Sequence, residues 1–549
     1  MTKAALLLVV AFLVACGNNV TDNDPPIDNG PPNPQGVSVV TQHNDNTRAG
    51  LNDHEELLTT SNVNVQKFGK QFSLVVDDQV YAQPLVAGKL DINGAPHNVV
   101  YVATVNNTVF AFDGDNGRLY WQRNYTASGM RPPRNTDMTG ACGGSYTDFS
   151  GNIGIVGTPV IDPSKNAIYF VARSTTGTHF VQYLHAVDIT SGNELAGSPV
   201  EITATYPGTG DGSSNGILAF DAQRQNQRQA LTLVNGVVYV TFASHCDWGP
   251  YHGWILGYDA ATLQQRIVYN ATPSGYAAGV WESGMGPAVD ADGSLFVVTG
   301  NGTVGVGTDQ TDVTNRGESA LKLTPTGSTL RVASYFTPHD YQYLNDYDLD
   351  YGGMGAFLIP GSRYYVTGAK NGNIYLLDKD AMGGFQAGAD QVQQVVTLGA
   401  GAGMHAQPAY YHGASRDVVF IWSEKDPLRS IVFDRATSRF DRNFETLFTN
   451  GGPGGESGAV LSVSSNGTTA GTGIVWASYA YTGNAEHDVS PGILRAFDAS
   501  DITKELWNNR QNLARDGAGS YAKFASPTIA NGHVYLPTFS NQVVVYGVL

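Results

Sequence analysis

Three aspartates at alternate positions are the densest group of side chains in this sequence that could do chemistry. They are Asp346, Asp348 and Asp350. In an extended strand alternate side chains share one face, where a bound cation would relieve the repulsion of three carboxylates. The segment is not an EF-hand loop, because Gly352 comes one residue late and Phe357 stands where the twelfth ligand belongs. A structural calcium site at Asp346 and Asp348 and a solvated acidic loop are the two remaining interpretations.

Other carboxylates and the cysteines suggest further chemistry. Glu282 and Glu456 each precede a Ser-Gly pair and could form the carboxylate pair of a polysaccharide-active enzyme. The three cysteines are Cys16, Cys142 and Cys246, and no Cys-x-x-Cys spacing predicts zinc, an iron–sulfur cluster or covalent haem. In an oxidising compartment Cys142 and Cys246 could form a disulfide, and two buried free thiols are the alternative.

The N-terminus predicts export. A short apolar stretch follows Lys3, too brief to span a bilayer and typical of a secretory signal. It ends in Leu13-Val14-Ala15-Cys16, which resembles the lipobox of bacterial lipoproteins. The resemblance implies a signal peptide at 1–15 and a lipid anchor on Cys16, with a chance cysteine after an ordinary signal peptide as the alternative. Residues 16–37, rich in Pro, Asn and Asp, should form a flexible tether.

Gly17 directly after the cysteine favours the outer membrane by analogy with Gram-negative lipoproteins. The folded part should then face the periplasm or the cell exterior. The bilayer is one expected partner, reached through Cys16.

Composition excludes several classes of protein. The chain of 549 residues contains 65 glycines and only 14% charged residues, which is unlike a helical bundle. Hydrophobic residues at 42% and aromatic residues at 10% are too many for a disordered chain. A net charge of −17 without a run of Lys and Arg argues against nucleic acid as a partner.

A repeated unit runs through the chain. Its clearest copy opens at Tyr81–Pro84, continues through an apolar strand at Val99–Ala103, and closes a further strand with Asp113 before an Asn-Gly turn. Alternating apolar and polar residues between Asn-Gly and Asp-Gly turns are typical of hairpins. Further copies open at a small residue and proline, at the following positions: Pro159, Pro287, Pro408 and Pro527.

The spacing of the openings gives the number of units. Pro84 to Pro159 is 75 residues, while the next three intervals are 128, 121 and 119 residues, two units each. Eight units of about 60 residues predict an all-β fold, an eight-bladed β-propeller of four-stranded antiparallel blades. The last unit stops at its third strand, so the segment from Phe68 to Val76 should supply the fourth and close the ring. One propeller domain would then cover 38–549.

The unit at residues 100–121 resembles the pyrroloquinoline quinone (PQQ) type propeller repeat. That family includes eight-bladed quinoprotein alcohol dehydrogenases and a non-enzymatic outer-membrane assembly lipoprotein. Three further segments, 43–50, 153–159 and 299–303, resemble a broad branch of secreted bacterial PQQ-repeat proteins. The repeat itself specifies a fold and not an activity.

Four residues match the cofactor site of the dehydrogenases. By this resemblance Asp247 and Asn301 would bind Ca²⁺, Asp350 would be the catalytic base, and Lys370 would polarise a quinone oxygen of PQQ. Two departures stand against this assignment. The sequence has no adjacent cysteine pair, and Ser283 to Gly286 stands where a stacking tryptophan is expected, with Trp281 a few residues early.

Two principal hypotheses follow. The first is an oxidoreductase that oxidises an alcohol or sugar with PQQ and calcium. The second is a binding or scaffold propeller of the cell envelope, without a cofactor, that holds a protein or glycan partner. A polysaccharide-active propeller is a third, weaker possibility.

Overall fold

The structure is a computed structural model that describes residues 36–399, 403–442 and 446–549. The predicted signal peptide, Cys16 and the tether up to residue 35 lie outside these ranges. Within the described ranges no helix is long and apolar enough to cross a membrane.

The strands form an eight-bladed propeller of four-stranded antiparallel sheets, as predicted. In blades 1 to 7 the first strand in the chain is the innermost, and in blade 8 the innermost strand is Thr528–Ala530. Blade 1 contains Leu85–Ile92, Ala95–Ala103, Thr108–Asp113 and Leu119–Asn124. Blade 2 contains Val160–Asp162, Ala167–Thr175, Phe180–Asp188 and Val200–Glu201. Blade 3 contains Thr232–Val234, Val237–Thr241, Trp254–Asp259 and Gln265–Asn270. Blade 4 contains Ala288–Val289, Leu295–Val298, Ala320–Thr326 and Thr329–Thr337.

The second half of the ring repeats the pattern. Blade 5 contains Phe357–Leu358, Tyr364–Gly368, Asn373–Asp378 and Gln394–Thr397. Blade 6 contains Ala409–His412, Asp417–Ile421, Leu428–Asp434 and two short outer strands, Arg439–Phe440 and Thr446–Phe448. Blade 7 contains Val460–Ser464, Ile474–Ala480, Gly492–Asp498 and Asp501–Asn508. Blade 8 contains Thr528–Ala530, His533–Pro537, Gln542–Val548 and, from the N-terminus, Phe68–Val75.

Short elements decorate the blades. Leu51–Asn52 pairs in parallel with blade 7 and Gly384–Phe385 with blade 4. Two small hairpin-like pairs are Thr205–Pro207 with Ile217–Ala219 and Gln225–Asn226 with Ala243–Ser244. The α-helices are Tyr341–Asp346 and Leu513–Asp516, and the 3₁₀-helices are Asn135–Asp137, Ala141–Gly144, Pro163–Lys165 and Glu282–Gly284.

The ring closes where the sequence predicts. Phe68–Val75 pairs antiparallel with Gln542–Val548, with Phe68 opposite Val548 and Val75 opposite Gln542. Phe68 also packs between the blades, with its ring centroid 5.0 Å from that of Trp507 in an edge-on contact. The closing strand is therefore the outermost strand of blade 8, and it contributes both backbone pairing and a core side chain.

The aspartates that end third strands build the turns that follow them. In blade 1, Asp113 Oδ1 accepts the backbone N–H groups of Asp115 and Asn116, at 3.0 and 3.3 Å. Asp259 does the same for Ala261 and Thr262, both at 2.9 Å. This side-chain mimicry of a backbone turn explains why the repeat carries Asp at that position.

A segment at the N-terminus runs inside the ring and touches the innermost strand of every blade in order. Its bonds to the first four blades are Val39 N–H to Val86 O, Ile161 N–H to Val40 O, Asn46 Nδ2 to Leu233 O and Val289 N–H to Asn46 O. Its bonds to the last four are Leu358 N–H to Thr47 O, Tyr410 N–H to Ala49 O, Val463 N–H to Gly50 O and Asn52 Nδ2 to Ile529 O. We call this segment, residues 39–52, the inner ring.

Arg48 anchors the inner ring. Its guanidinium is fully buried and donates to the side chains of Thr41 and Thr232 and to the carbonyls of Gln42, Leu231 and Pro287. The inner ring thus crosses the central channel at the level of the innermost strands. The connections from each blade to the next lie on one face of the ring. We call this the site face.

Candidate functional site

Three of the four residues that the resemblance assigned to a cofactor are in direct contact on the site face. Asn301 donates its backbone N–H to Asp350 Oδ1 at 2.9 Å, and Lys370 Nζ lies 2.8 Å from Asp350 Oδ2. Asp348 Oδ1 accepts a hydrogen bond from Asn301 Nδ2 at 2.8 Å and lies 3.2 Å from Lys370 Nζ. We call Asn301, Asp348, Asp350 and Lys370 the carboxylate cluster.

The propeller topology brings the carboxylate cluster together. Asn301 follows the second strand of blade 4, and Lys370 follows the second strand of blade 5. Asp350 stands in the connection between those blades, where its carbonyl accepts the Lys370 N–H at 3.0 Å. Ends of second strands and inter-blade connections meet at the same face, so residues 50 to 70 apart in sequence become neighbours.

Lys370 is the cation of the cluster and offsets one of its two negative charges. Burial by itself lowers the pKa of Lys370, but Asp350 and Asp348 outweigh burial and raise the pKa above its ordinary value. Glu318 is fully buried beneath them, and burial together with Asp350 raises its pKa well above that of a free glutamate. Lys370 is therefore held as a cation among carboxylates.

Asp247 stands at the edge of this group. Its Oδ1 accepts a hydrogen bond from Tyr251 Oη at 2.5 Å. The surrounding protein and the charge of Asp350 raise the pKa of Asp247. The side chain nevertheless reaches solvent, which screens these effects. Asp247 thus interacts with the cluster through its charge, and its hydrogen-bond partner is Tyr251.

The acidic stretch is not the strand considered above. Tyr341–Asp346 is a helix, and Asp346 accepts a hydrogen bond from Gln342 at its exposed side. Asp348 and Asp350 instead contact Lys370. The shared face of three carboxylates was therefore a wrong expectation, because the helix separates Asp346 from the other two. In the described part of the chain no three His, Cys, Asp or Glu side chains are grouped to hold a metal ion.

A cavity of about 180 Å³ lies beside the carboxylate cluster. Its wall includes Arg228, Trp281, Glu456, Lys523, Phe524 and the two cysteines of a disulfide, Cys142 and Cys246. Gly300 joins the cavity to the cluster, because a Cβ placed there would lie 2.8 Å from Trp281 and 3.0 Å from Asp350 Oδ1. Trp281 and Asp350 are thus neighbours across a glycine.

Arg228 is the most unusual group in this cavity. Its guanidinium lies between two rings, 5.2 Å from the centroid of Trp281 and 4.5 Å from that of Phe524. It makes no hydrogen bond or ion pair with any other residue of the described ranges, and its Nε is buried without a partner. Burial lowers the pKa of Arg228, and the charge of Glu456, which is not bonded to it, partly opposes this effect. A buried cation without a partner is costly unless a ligand supplies the anion.

The cavity also contains further charged groups. Burial lowers the pKa of Lys523, whose Nζ donates to the Glu486 carbonyl. His405 Nδ1 lies 2.6 Å from Glu424 Oε1, and Glu456 and Glu424 raise the pKa of His405 against the effect of burial. The cavity wall itself thus carries two cations, Arg228 and Lys523, alongside the carboxylates of Asp148, Glu456 and Glu486.

The disulfide joins Cys142 to Cys246, with 5.4 Å between the Cα atoms. The first of the two alternatives for these cysteines is therefore confirmed. It links the connection between blades 1 and 2 to blade 3, and it lines the same cavity as Trp281. The adjacent cysteine pair of the dehydrogenases is absent, yet a disulfide formed by distant cysteines lies in the cavity wall.

The glutamate pair does not form a polysaccharide-cleaving site. Glu456 lines the cavity, whereas Glu282 is fully buried and accepts the backbone N–H of Val298 at 2.7 Å. Burial raises the pKa of Glu282 to about 8. A carboxyl group without access to the cavity cannot protonate a bound substrate there.

Two charged residues of the cavity, Arg228 and Lys523, were not singled out in the sequence, whereas Trp281 and Glu456 were. Arg228, Trp281, Glu456 and Lys523 each stand a few residues before the opening of an innermost strand. Equivalent positions in successive units line the same channel, so charged or aromatic residues at this offset from each opening were the available signal.

The fold class is that of the eight-bladed quinoprotein alcohol dehydrogenases. The chain resembles quinohemoprotein alcohol dehydrogenases from Pseudomonas putida and from Comamonas testosteroni. Each superposes with a TM-score of 0.57 at 14% identity, over 93% of this chain and 80% of that one. A europium-containing methanol dehydrogenase superposes with a TM-score of 0.59 at 12% identity, over 93% of this chain and 98% of that one.

No protein-family model matches the sequence, and no curated protein matches it. At identities this low the likeness shows the fold, so an activity must be argued from the site.

Proposed function

We propose that this protein is a quinoprotein-type oxidoreductase that holds PQQ in the cavity beside Trp281 and oxidises an alcohol or a sugar. The observation that carries the proposal is Arg228, a half-buried guanidinium that has aromatic rings around it and no anionic partner within bonding distance among the described residues. PQQ is flat and carries three carboxylates, so it matches the aromatic rings and offers an anionic group to Arg228.

The residues present suit this cofactor. Arg228 and Lys523 would bind its carboxylates, and Trp281 and Phe524 offer apolar ring faces. When bound, PQQ supplies a quinone that accepts a hydride from an alcohol carbon. Asp350 would accept the hydroxyl proton, since its Oδ1 is oriented by the Asn301 N–H and its Oδ2 lies 2.8 Å from Lys370 Nζ.

Calcium does not fit the same residues as they stand. Lys370 Nζ already contacts both Asp348 and Asp350 and offsets one of their two negative charges, and Asp346 instead accepts a hydrogen bond from Gln342. Asn301 Oδ1 is buried without a hydrogen-bond partner, but one amide oxygen is far from the six to eight oxygen ligands that Ca²⁺ takes. The proposal therefore assigns no step to calcium, and removal of calcium with a chelator should leave PQQ affinity unchanged.

Titration of the purified protein with PQQ tests the proposal. We expect quenching of tryptophan fluorescence on binding, and an affinity at least 30-fold weaker in Arg228→Met. That variant should fold, because replacing an unpaired buried charge by a hydrophobic side chain is neutral or stabilising. Arg331→Met, at an exposed arginine of blade 4, is the matched control. Absence of PQQ binding, or equal affinity in Arg228→Met, would refute the proposal.

Activity requires a separate variant. Asp350→Asn should retain PQQ and lose alcohol-dependent dye reduction, because the amide cannot accept the proton. Full activity in this variant would remove Asp350 from the mechanism.

A binding or scaffold propeller of the cell envelope is the second candidate. It is favoured by Lys370, which already occupies the carboxylates of Asp348 and Asp350 without any metal. This candidate predicts a folded protein that takes up no PQQ and holds an envelope protein or glycan.

The lipid anchor and the location belong to the same proposal. We infer that Cys16 is acylated and holds the propeller to the outer membrane, facing the periplasm or the cell exterior. Gly36, the first described residue, lies beside Asn531 in the turn between the first two strands of blade 8, opposite the site face. The residues between Cys16 and Gly36 can span at most about 70 Å. The site face would then point away from the membrane. Labelling of the wild type but not of Cys16→Ser with a palmitate analogue tests this anchor.

A further inference from the structure

Exposed tyrosines border the carboxylate cluster on the site face. The side chains of Tyr276, Tyr343 and Tyr347 are 47%, 54% and 66% exposed. In the described part of the chain one other tyrosine, Tyr481 at 45%, is comparably exposed. We call Tyr276, Tyr343 and Tyr347 the tyrosine rim.

Hydrogen bonds tie the tyrosine rim to the cluster. Asn345 accepts the Gly302 N–H at 2.8 Å and donates to Tyr276 Oη at 3.1 Å. Gly302 directly follows Asn301, and Asp348 directly follows Tyr347 in the chain. The Tyr276 ring is therefore connected through Asn345 to the backbone next to Asn301, and Tyr347 is the chain neighbour of Asp348.

The rim is not needed for the core. Leu344 is the buried residue of the short helix, and Tyr341 anchors it through an edge-on contact with Phe385 at 5.5 Å. Tyr343 and Tyr347 instead point outward and lie ring against ring, with centroids 4.6 Å apart. Aromatic side chains exposed together beside a cavity indicate a surface that is covered when a ligand binds.

The polar groups around the rings define the chemistry of that ligand. Gln342, Asn345 and Asp348 offer amide and carboxylate groups, which suit hydroxyl groups. Asp346 and Asp348 are exposed carboxylates, so they repel an anionic ligand at the rim. A molecule with apolar ring faces, many hydroxyls and no negative charge is a neutral sugar.

We propose that the tyrosine rim docks a neutral carbohydrate, whose C–H faces stack on the tyrosine rings while its hydroxyls bond to the surrounding amides and carboxylates. This inference rests on the proposed function, for which it selects sugars over simple alcohols as the substrate class. The rim holds the sugar chain, and a hydroxyl at its end reaches Asp350.

Affinity electrophoresis in gels that contain neutral glucan, mannan or galactan tests binding without any cofactor, and polygalacturonate is the acidic comparison. We expect retardation by at least one neutral polymer and an affinity at least tenfold weaker for polygalacturonate. The double variant Tyr343→Ala/Tyr347→Ala should weaken binding at least tenfold. Tyr481→Ala, at a tyrosine of similar exposure that belongs to blade 7, should stay within twofold of the wild type.

The outcomes separate the two proposals. Retardation lost in the double variant, in a protein that does not bind PQQ, supports the carbohydrate rim and refutes the oxidoreductase. PQQ binding with no retardation by any neutral polymer, or with equal retardation of the double variant, overturns the rim and leaves the oxidoreductase standing.

Discussion

Glu282 offers a direct test of how burial controls the charges of this protein. It is 1% exposed, and its Oε2 is buried without a hydrogen-bond partner. Burial raises its pKa from 4.5 to about 8, although the Val298 N–H and Arg48 partly oppose the rise. The folded state therefore binds the proton more tightly than the unfolded state. The resulting stability is fully present below about pH 4.5 and is lost as the pH rises through 8.

The size of the effect follows from the two pKa values. Each unit of difference corresponds to about 1.4 kcal/mol, so the full loss is about 5 kcal/mol above pH 8 and about 3 kcal/mol at pH 7. Glu282→Gln removes the titration and keeps an oxygen for the Val298 N–H. Relative to the wild type, the variant should gain nothing near pH 4.5, about 3 kcal/mol at pH 7 and about 5 kcal/mol near pH 9.

Urea unfolding of both proteins at these three pH values measures the difference. Any fixed cost of the amide shifts all three values equally and leaves the trend intact. Glu55→Gln is the matched control, because Glu55 is equally buried but accepts the N–H groups of Leu57, Leu58 and Gly532. It should lose about 1–3 kcal/mol through weakened hydrogen bonds. A Glu282→Gln advantage that does not grow with pH would refute the reasoning.

Three further outcomes are expected. Arg48→Met leaves buried acceptors of the inner ring unpaired. It should lower the free energy of unfolding, measured in urea, by at least about 3 kcal/mol. A loss below about 1 kcal/mol would show that Arg48 does not anchor the inner ring. Gly300→Ala places a methyl group 2.8 Å from Trp281 and should weaken PQQ binding at least tenfold in a protein with unchanged circular dichroism. Cys142→Ser opens a cross-link between residues 104 apart and should cost about 2–4 kcal/mol. Reducing agent should bring the wild type to the same stability, and a persistent difference would point to another cause.

The architecture was largely predictable because its signals are local. Alternating side chains and Asn-Gly or Asp-Gly turns define each hairpin within a few residues, and the regular spacing of the Pro openings gives eight units. The missing fourth strand of the last unit indicated that Phe68–Val75 would close the ring. Repetition made these weak signals reinforce one another.

The site was predictable only in part. Asn301, Asp350 and Lys370 occupy equivalent ends of neighbouring blades, so their convergence follows from the repeat. The helix at Tyr341–Asp346 was missed because an inter-blade connection has no period that constrains it. Asp346 was therefore wrongly expected to share a face with Asp348 and Asp350.

The sequence by itself determined the number of blades, the closing strand and the face on which the connections meet. The tertiary structure decided that Arg228 lies between Trp281 and Phe524, that Cys142 bonds to Cys246, and that residues 39–52 form the inner ring. The reason is physical. A blade is specified by neighbours along the chain, whereas the centre of a propeller is shared by all eight blades, and its contacts exist only after the ring has closed.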